Sequence, residues 1–491
     1  MKSSRKEFAA EKIFLLLFLF LAIKPVLAQS EVEKIHDLMQ TYHDYGVFNG
    51  SVLVAENGKV LYKDGFGMAN MEWDIPNTPD TKFRLGSVTK QFTAALILQL
   101  VEEGKLQLHE PISTYLPSYP KDKAETITIH ELLTHSSGIP NYTAFPGFME
   151  NDSRDPYSPE DFVKKFADSS LQFKPGEKFS YSNSGYFLLG YIIEKVTGKP
   201  YEEVLQERIL DPLDMNDTGY DHSATILKKR ASGYDKRGTG YRNTPYLDMS
   251  IPYAAGSLYS TVEDLYKWDQ ALYDDKILSE ESKKLMFKPY MNTGNGSYAY
   301  GWHISHLPLE NSKDSLLVIG HSGGINGFSS LITRIPRDKD LIILLNNTGG
   351  TNLNEMTLKI KNILYGENYE MPKRSVAMAV YKTLEDEGME AAQKRFNEIK
   401  DRQDHVLRED EMNSLGYMLL RSGKTQEAIE IFKLNVQEFP DSWNVYDSLG
   451  EAYMTAGNTQ LAIENYEKSV EMNPQNTNGK DILEQLKAKA E

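Results

Sequence analysis

A serine followed three residues later by a lysine can carry out acyl transfer, provided the amine is stripped of water and sits beside the hydroxyl. Desolvation disfavours the ammonium form, and a neutral amine can take the serine proton. Ser87-Val-Thr-Lys90 has this spacing. So do segments beginning at Ser3 and Ser118, so the spacing alone selects none of the three. Ser87 is distinguished by the residues on its C-terminal side. Gln91 to Val101 is apolar on nearly every face, which predicts a buried helix from Ser87 to Glu103 with Gly104 as its left-handed stop. Lys90 lies one turn from Ser87 on the same helical face and is expected to be desolvated with it. The N-terminus of that helix also offers free N–H groups and the positive end of its dipole.

Two further segments carry side chains of matching chemistry. Tyr181-Ser182-Asn183 supplies a phenol and an amide. Beside a cationic lysine a tyrosine can approach the phenolate and act as a second base, and an asparagine can both donate to and accept from a substrate amide. The pattern Tyr-x-Asn also occurs at Tyr241 and Tyr290, so it too needs a setting. The second segment is Gly320-His321-Ser322-Gly323-Gly324, between two predicted strands. Its Gly-x-Ser-x-Gly spacing matches the nucleophile elbow of α/β-hydrolases, with Ser322 as nucleophile. An elbow requires a helix directly afterwards, whereas Ile325 to Ile335 reads as a loop and a strand. It also requires a later histidine, and only His405 follows. His321 is therefore read as a donor to a substrate carboxylate or leaving group. The Gly324 N–H is read as a partner of the Ser87 N–H in an oxyanion site.

The elements that must bring these segments together lie far apart in the chain. Ser51–Ala55 and Val60–Gly65 read as strands joined by the tight-turn dipeptide Asn57-Gly58. Residues 110–290 are mainly helical, with Pro and Gly breaks. Three strands are then expected at Leu316–Ile319, Phe328–Ile335 and Leu341–Asn346, and a helix near 352–365. Strands at both ends of a helical middle imply one sheet closed by sequence-distant strands, an α/β arrangement.

Taken in order, Gly86-Ser87-Val-Thr-Lys90-Gln-Phe-Thr, Tyr181-Ser-Asn183 and His321-Ser-Gly323 resemble the three motifs of the serine β-lactamase and penicillin-binding-protein superfamily. Ile127 to Ile139, Ala255 to Leu265 and Tyr300-Gly301-Trp302 look like its class C branch, which includes D-alanyl-D-alanine carboxypeptidases and esterases. The resemblance spans roughly residues 32–365. It implies a β-lactamase-like fold, an antiparallel sheet flanked by helices with a mainly helical subdomain. It also implies Ser87 as nucleophile, Lys90 and Tyr181 as general bases, and Asn183, His321 and Gly324 on the substrate side. Many β-lactamases carry lysine where this chain has His321; histidine is found in the carboxypeptidase-like and esterase-like members. No cofactor is implied. His130 and His135 lack an acidic or cysteine partner at ligand spacing and are read as packing residues.

After Met371-Pro372 a repeat appears. Leu415-Gly416, Gly423, Ala428, Phe432 and Pro440 recur 34 residues later as Leu449-Gly450, Gly457, Ala462, Tyr466 and Pro474. Period and pattern resemble the tetratricopeptide repeat, an all-α array that binds proteins or peptides. Ala392 and Phe396 share the spacing of Ala428 and Phe432 and mark a looser first repeat from near 375. At the other end, Lys2, Arg5, Lys6 and Lys12 precede an eleven-residue apolar run, Ile13–Ile23, and then Val26-Leu27-Ala28. That is the layout of a cleaved signal peptide and too short a run for a membrane anchor. The expected organisation is thus a leader at 1–28, a hydrolase domain at 29–370 and helical repeats at 371–491, in an exported, periplasmic or secreted protein.

Composition removes several other classes. The net charge of -16, which becomes -19 without the leader, excludes nucleic acid as a partner, and the absence of cysteine excludes disulfides and thiolate chemistry. The expected function is hydrolysis of an amide or ester, such as a β-lactam, a D-amino-acid peptide or a small ester, through a Ser87 acyl-enzyme. The alternative is a penicillin-binding or catalytically idle scaffold that presents its repeats to a partner.

Overall fold

The computed structural model describes residues 29–237, 240–310 and 313–490; the leader expected at 1–28 lies outside the described residues. Helix α1 (Glu31–Asp44) opens with a capping box between Ser30 and Glu33. Strands β1 (Gly50–Glu56) and β2 (Lys59–Phe66) form the expected hairpin. Its two turn residues, Asn57 and Gly58, have φ of 52° and 73°, which a tight turn between right-twisted strands requires. Helices α2 (Thr89–Glu102) and α3 (Asn183–Thr197) lie in the helical middle. The chain then returns through β3 (Met291–Asn292), β4 (Ser297–Tyr298), β5 (His303–Pro308), β6 (Ser315–Ile325), β7 (Phe328–Ile335) and β8 (Asp340–Asn346) to helix α4 (Leu353–Leu364).

These eight strands make one antiparallel sheet in the order β3-β4-β5-β6-β7-β8-β1-β2. As the alternation of strand segments implied, the ends of the domain meet: Gly50 of β1 pairs with Asn346 of β8, and Ala55 with Leu341. Both faces of the central strands are covered, and side-chain parity assigns each residue to a layer. Val52, Val54, Ile342 and Leu344 pack with Ile35, Leu38, Met356 and Ile360 of α1 and α4. Leu53, Ile343 and Leu345 face the other way, into a larger core with Phe92 of α2 and Trp268. Eleven of the 14 residues of α2 are buried, so the helix has no solvent face, as its composition required.

The structure departs from the sequence reading at two places that matter for the site. The helix expected from Ser87 begins at Thr89, and Ser87 itself lies in a 3-10 turn, Gly86–Val88, that leads into α2 and makes no capping hydrogen bond. The hydroxyl is therefore not spent on a backbone N–H. The second departure is His321-Ser322-Gly323-Gly324, which lies within the eleven-residue strand β6 rather than between strands. The reason is a two-residue turn at Asn326-Gly327, with Gly327 at φ 74°, that pairs Ile325 with Phe328 and carries the ladder through both glycines. Ser322 is followed by strand β7, so the structure contains no elbow there.

The C-terminal helices pair as the 34-residue interval implied: Glu409–Arg421 with Thr425–Glu438, and Trp443–Thr455 with Thr459–Met472. Each interval has a physical reason. A Cβ on Gly416 would lie 2.5 Å from the Phe432 ring, and one on Gly450 would lie 3.1 Å from Tyr466. Glycine at these positions lets paired helices close on an aromatic ring. Val376–Glu387 and Met389–Ile399 form an earlier pair that buries Ala392 and Phe396. The apolar cluster of this region draws only on residues 376–486. Among the described residues no helix is long and apolar enough to cross a membrane.

Candidate active site

Helix α2 delivers Lys90 to a point surrounded by three oxygen atoms. Its Nζ lies 3.1 Å from Ser87 Oγ, 2.8 Å from Asn183 Oδ1 and 2.8 Å from the Ala255 carbonyl oxygen. The side chain is 0% exposed, and no carboxylate pairs with it among the described residues. Burial of an amine without a counter-ion holds its pKa well below the usual lysine range. Ser87 is only half-buried and faces a cleft. Residues 84–88 are pinned on both sides. The Leu85 N–H donates to Leu258 O at 2.8 Å, and the Leu85 carbonyl accepts from Ser330 Oγ of β7 at 2.7 Å.

The close approach of this segment to β6 depends on glycine. Gly86 has φ 53°, and a Cβ on it would sit 2.9 Å from Gly324 O; a Cβ on Gly323 would sit 1.9 Å from Leu85 O. With Ile325 and Phe328 closing the hairpin, the neighbouring pair Gly324–Ser329 is the non-hydrogen-bonded kind. The Gly324 N–H then points away from β7. It faces the free edge beyond β5, whose pairing stops at His303 and Gly320. Ser87 lies at that edge.

Asn183 opens α3. Its backbone N–H donates to Asn141 Oδ1 at 3.2 Å, and its side-chain oxygen is taken by Lys90, which leaves its NH2 group to the cleft it lines. Tyr181 sits just before it, with Lys90 Nζ 4.9 Å from its ring centroid. The Tyr181 hydroxyl is buried with no partner in hydrogen-bond geometry, although Ser87 is near enough to favour its phenolate weakly. Burial outweighs that influence and pushes the phenol above the ordinary tyrosine range. Tyr181 thus stands beside Ser87 with burial favouring its neutral phenol.

His321 is corrected. It was expected as a donor to the substrate, but both ring nitrogens are engaged inside the protein. Nδ1–H donates to Ser322 O at 2.6 Å, and Nε2 accepts from the Tyr298 hydroxyl at 2.8 Å. Burial, and secondarily Lys90, lower its pKa to about 3, so it is a neutral imidazole. His321 thus forms the wall behind the reacting groups.

Two residues of that wall were missed as site residues. Tyr298 of β4 donates to His321 Nε2, the nitrogen left as acceptor because the Ser322 carbonyl holds the proton on Nδ1. His135, at φ 56°, packs its ring, tilted, with centroids 4.2 Å from Tyr181 and 4.6 Å from Tyr298, and its Nδ1 accepts the Ser182 N–H at 3.1 Å. It therefore orients the Tyr181–Asn183 segment. Neither has a spacing signal, because their partners are distant in sequence. His130 packs elsewhere, bonded to the Tyr300 hydroxyl at 2.8 Å. A wider depression, lined by Glu202, Glu203, Glu207 and Tyr259, includes none of these groups.

An antiparallel sheet between helical layers, with a nucleophile-bearing turn at the head of a buried helix and a lysine one turn later, defines a serine hydrolase of the penicillin-recognising type. The β-lactamase family model matches residues 33–364, and the chain belongs to this family of serine β-lactamase and penicillin-binding-protein-like hydrolases. A tetratricopeptide repeat model matches residues 444–476. Penicillin-binding protein 4* of Bacillus subtilis is 34% identical over 365 residues, covering 70% of this chain and 79% of that protein. Among solved structures, the octameric penicillin-binding protein homologue from Pyrococcus abyssi is 33% identical. It aligns with a TM-score of 0.60 over 72% of this chain and 81% of its own. The D-amino acid amidase from Ochrobactrum anthropi, at 28% identity and a TM-score of 0.59, covers 68% of this chain and 99% of its own.

Proposed function

We propose that this chain is an exported serine hydrolase that transfers the acyl group of an amide or ester to Ser87 and then to water. The observation that carries this reading is the set of partners around Lys90. A neutral amine has two N–H donors and one lone pair. Asn183 Oδ1 and Ala255 O, each at 2.8 Å, take both donors, which leaves the lone pair for the Ser87 O–H at 3.1 Å.

The proton steps then balance. The Ser87 proton passes to Lys90 Nζ as Oγ adds to the substrate carbonyl, and the oxyanion forms against the N–H groups of Ser87 and Gly324. Tyr181 gives its phenol proton to the departing nitrogen or oxygen, and the Lys90 ammonium beneath its ring stabilises the phenolate left behind. Water returns a proton to that phenolate and attacks the ester. Ser87 Oγ departs with the proton held by Lys90, and every group regains its starting form. Tyr181 is thus a base only in the second half of the cycle.

A buried amine without a counter-ion is costly, and its two bonds to Asn183 and Ala255 turn its remaining position toward Ser87, which argues against an idle scaffold. The names of the relatives make penicillins the first substrates to test and D-amino-acid amides the class to compare with them. The repeats are assigned to a protein or peptide partner, and export rests on the leader at 1–28. Labelling with a fluorescent penicillin and a fluorophosphonate tests the central claim. The wild type is expected to label and Ser87→Ala to lose the label by about 1,000-fold or more; equal labelling of the two sinks the reading.

A further inference from the structure

The cleft beside Ser87 has a sided chemistry. Its walls are Tyr142, Phe148, Met149, Leu247, Ile251 and Ile325, with glycine backbone at the floor. Among the described residues, the polar side chains lining it are Ser87, Tyr142, Thr143, Asn183 and Asn326. Two polar groups at its edge are already committed: the Tyr142 hydroxyl donates to Ile251 O at 2.9 Å, and Asn326 Nδ2 donates to Pro245 O at 3.0 Å. Among the described residues lining the cleft, none is Lys, Arg, Asp or Glu. Tyr181, the proton donor to the leaving group in this reading, is not among the residues that line the cleft. The cleft is left to the acyl half of the substrate. Its volume of about 140 Å³ matches an apolar cavity that accepts a benzene ring.

We infer that the cleft selects an uncharged, apolar acyl group about the size of a phenyl ring, and that it rejects acyl groups bearing a free ammonium or carboxylate. This rests on the Ser87 acyl-enzyme reading. A charge in the cleft would lose water and gain no counter-ion, whereas an aryl or branched alkyl group would cover side chains that are themselves apolar. The class is therefore esters or amides of simple arylalkanoic or alkanoic acids, as distinct from free amino-acid amides.

Two p-nitrophenyl esters isolate the point: the ester of 3-phenylpropanoic acid and that of D-phenylalanine, which differs from it by one ammonium group. Initial rates at pH 6.5, each corrected for spontaneous hydrolysis, are expected to favour the uncharged ester in kcat/KM by tenfold or more. Met149, 42% exposed at the cleft wall, provides the converse test. Met149→Asp is expected to narrow or reverse that ratio by about tenfold, and Met149→Leu to leave it unchanged. Equal use of both esters by the wild type, with intact-mass acylation of Ser87 by each, overturns the inference and leaves the acyl-enzyme reading standing. Acylation by neither ester overturns both.

Discussion

Lys90 has two carbonyl oxygens and a serine hydroxyl for partners, and no carboxylate. That combination gives a definite pH dependence. The amine is competent when neutral, and burial lowers its pKa, so kcat/KM should rise as pH rises through that lowered value and then level off. Tyr181 must hold its proton at rest, and burial raises its pKa, so no falling limb is expected near pH 10, where an ordinary tyrosine ionises. A bell-shaped profile with an upper limb near 10 would show that Tyr181 is not buried as a phenol. Lys90 was legible in the sequence because its helix has no polar face. His321 was legible as a member of the site but not in its role, because its partner Tyr298 lies 23 positions away with no spacing rule to reveal it.

At the scale of elements, the site depends on the 3-10 turn at 86–88 pressing against β6. Gly323 is the contact that a side chain would break, with its added Cβ 1.9 Å from Leu85 O. Gly323→Ala should lower stability by about 1–3 kcal/mol and should slow Ser87 acylation by moving the turn away from Gly324. Thermal melting and labelling rates measure the two effects. Normal acylation in this variant would mean that the contact with β6 does not set the position of Ser87. The same dipeptide type closes two of the hairpins of the sheet, at Asn57-Gly58 and Asn326-Gly327. The first was legible because two short strand segments, Ser51–Ala55 and Val60–Gly65, flank it directly. The second was obscured by the glycines before it, which read as loop until β7 supplies their partners.

At the scale of the molecule, the apolar cluster of the repeat helices and the three clusters against the large sheet share no buried residue. Stability in the two regions should therefore respond separately. Gly416→Val places a branched side chain where even a Cβ would lie 2.5 Å from the Phe432 ring, so it should lower the unfolding temperature of the repeats. Calorimetry should show that loss while Ser87 labelling stays at the wild-type rate. A parallel loss of labelling would reveal coupling between the regions.

The sequence alone determined the elements and the inventory of reacting groups. Hydrophobic periodicity, turn dipeptides and the 34-residue interval are local patterns, and each element's type comes from residues close in the chain. It also placed Ser87 and Lys90 together, because one helical turn fixes both. Only the tertiary structure decided the protonation states and the direction of each hydrogen bond. Those depend on burial and on partners brought from afar: Ala255 and Asn183 on Lys90, Tyr298 on His321 and Gly324 against Gly86. Spacing can bring a serine and a lysine side by side, but the surrounding fold removes the water and so makes the lysine a base.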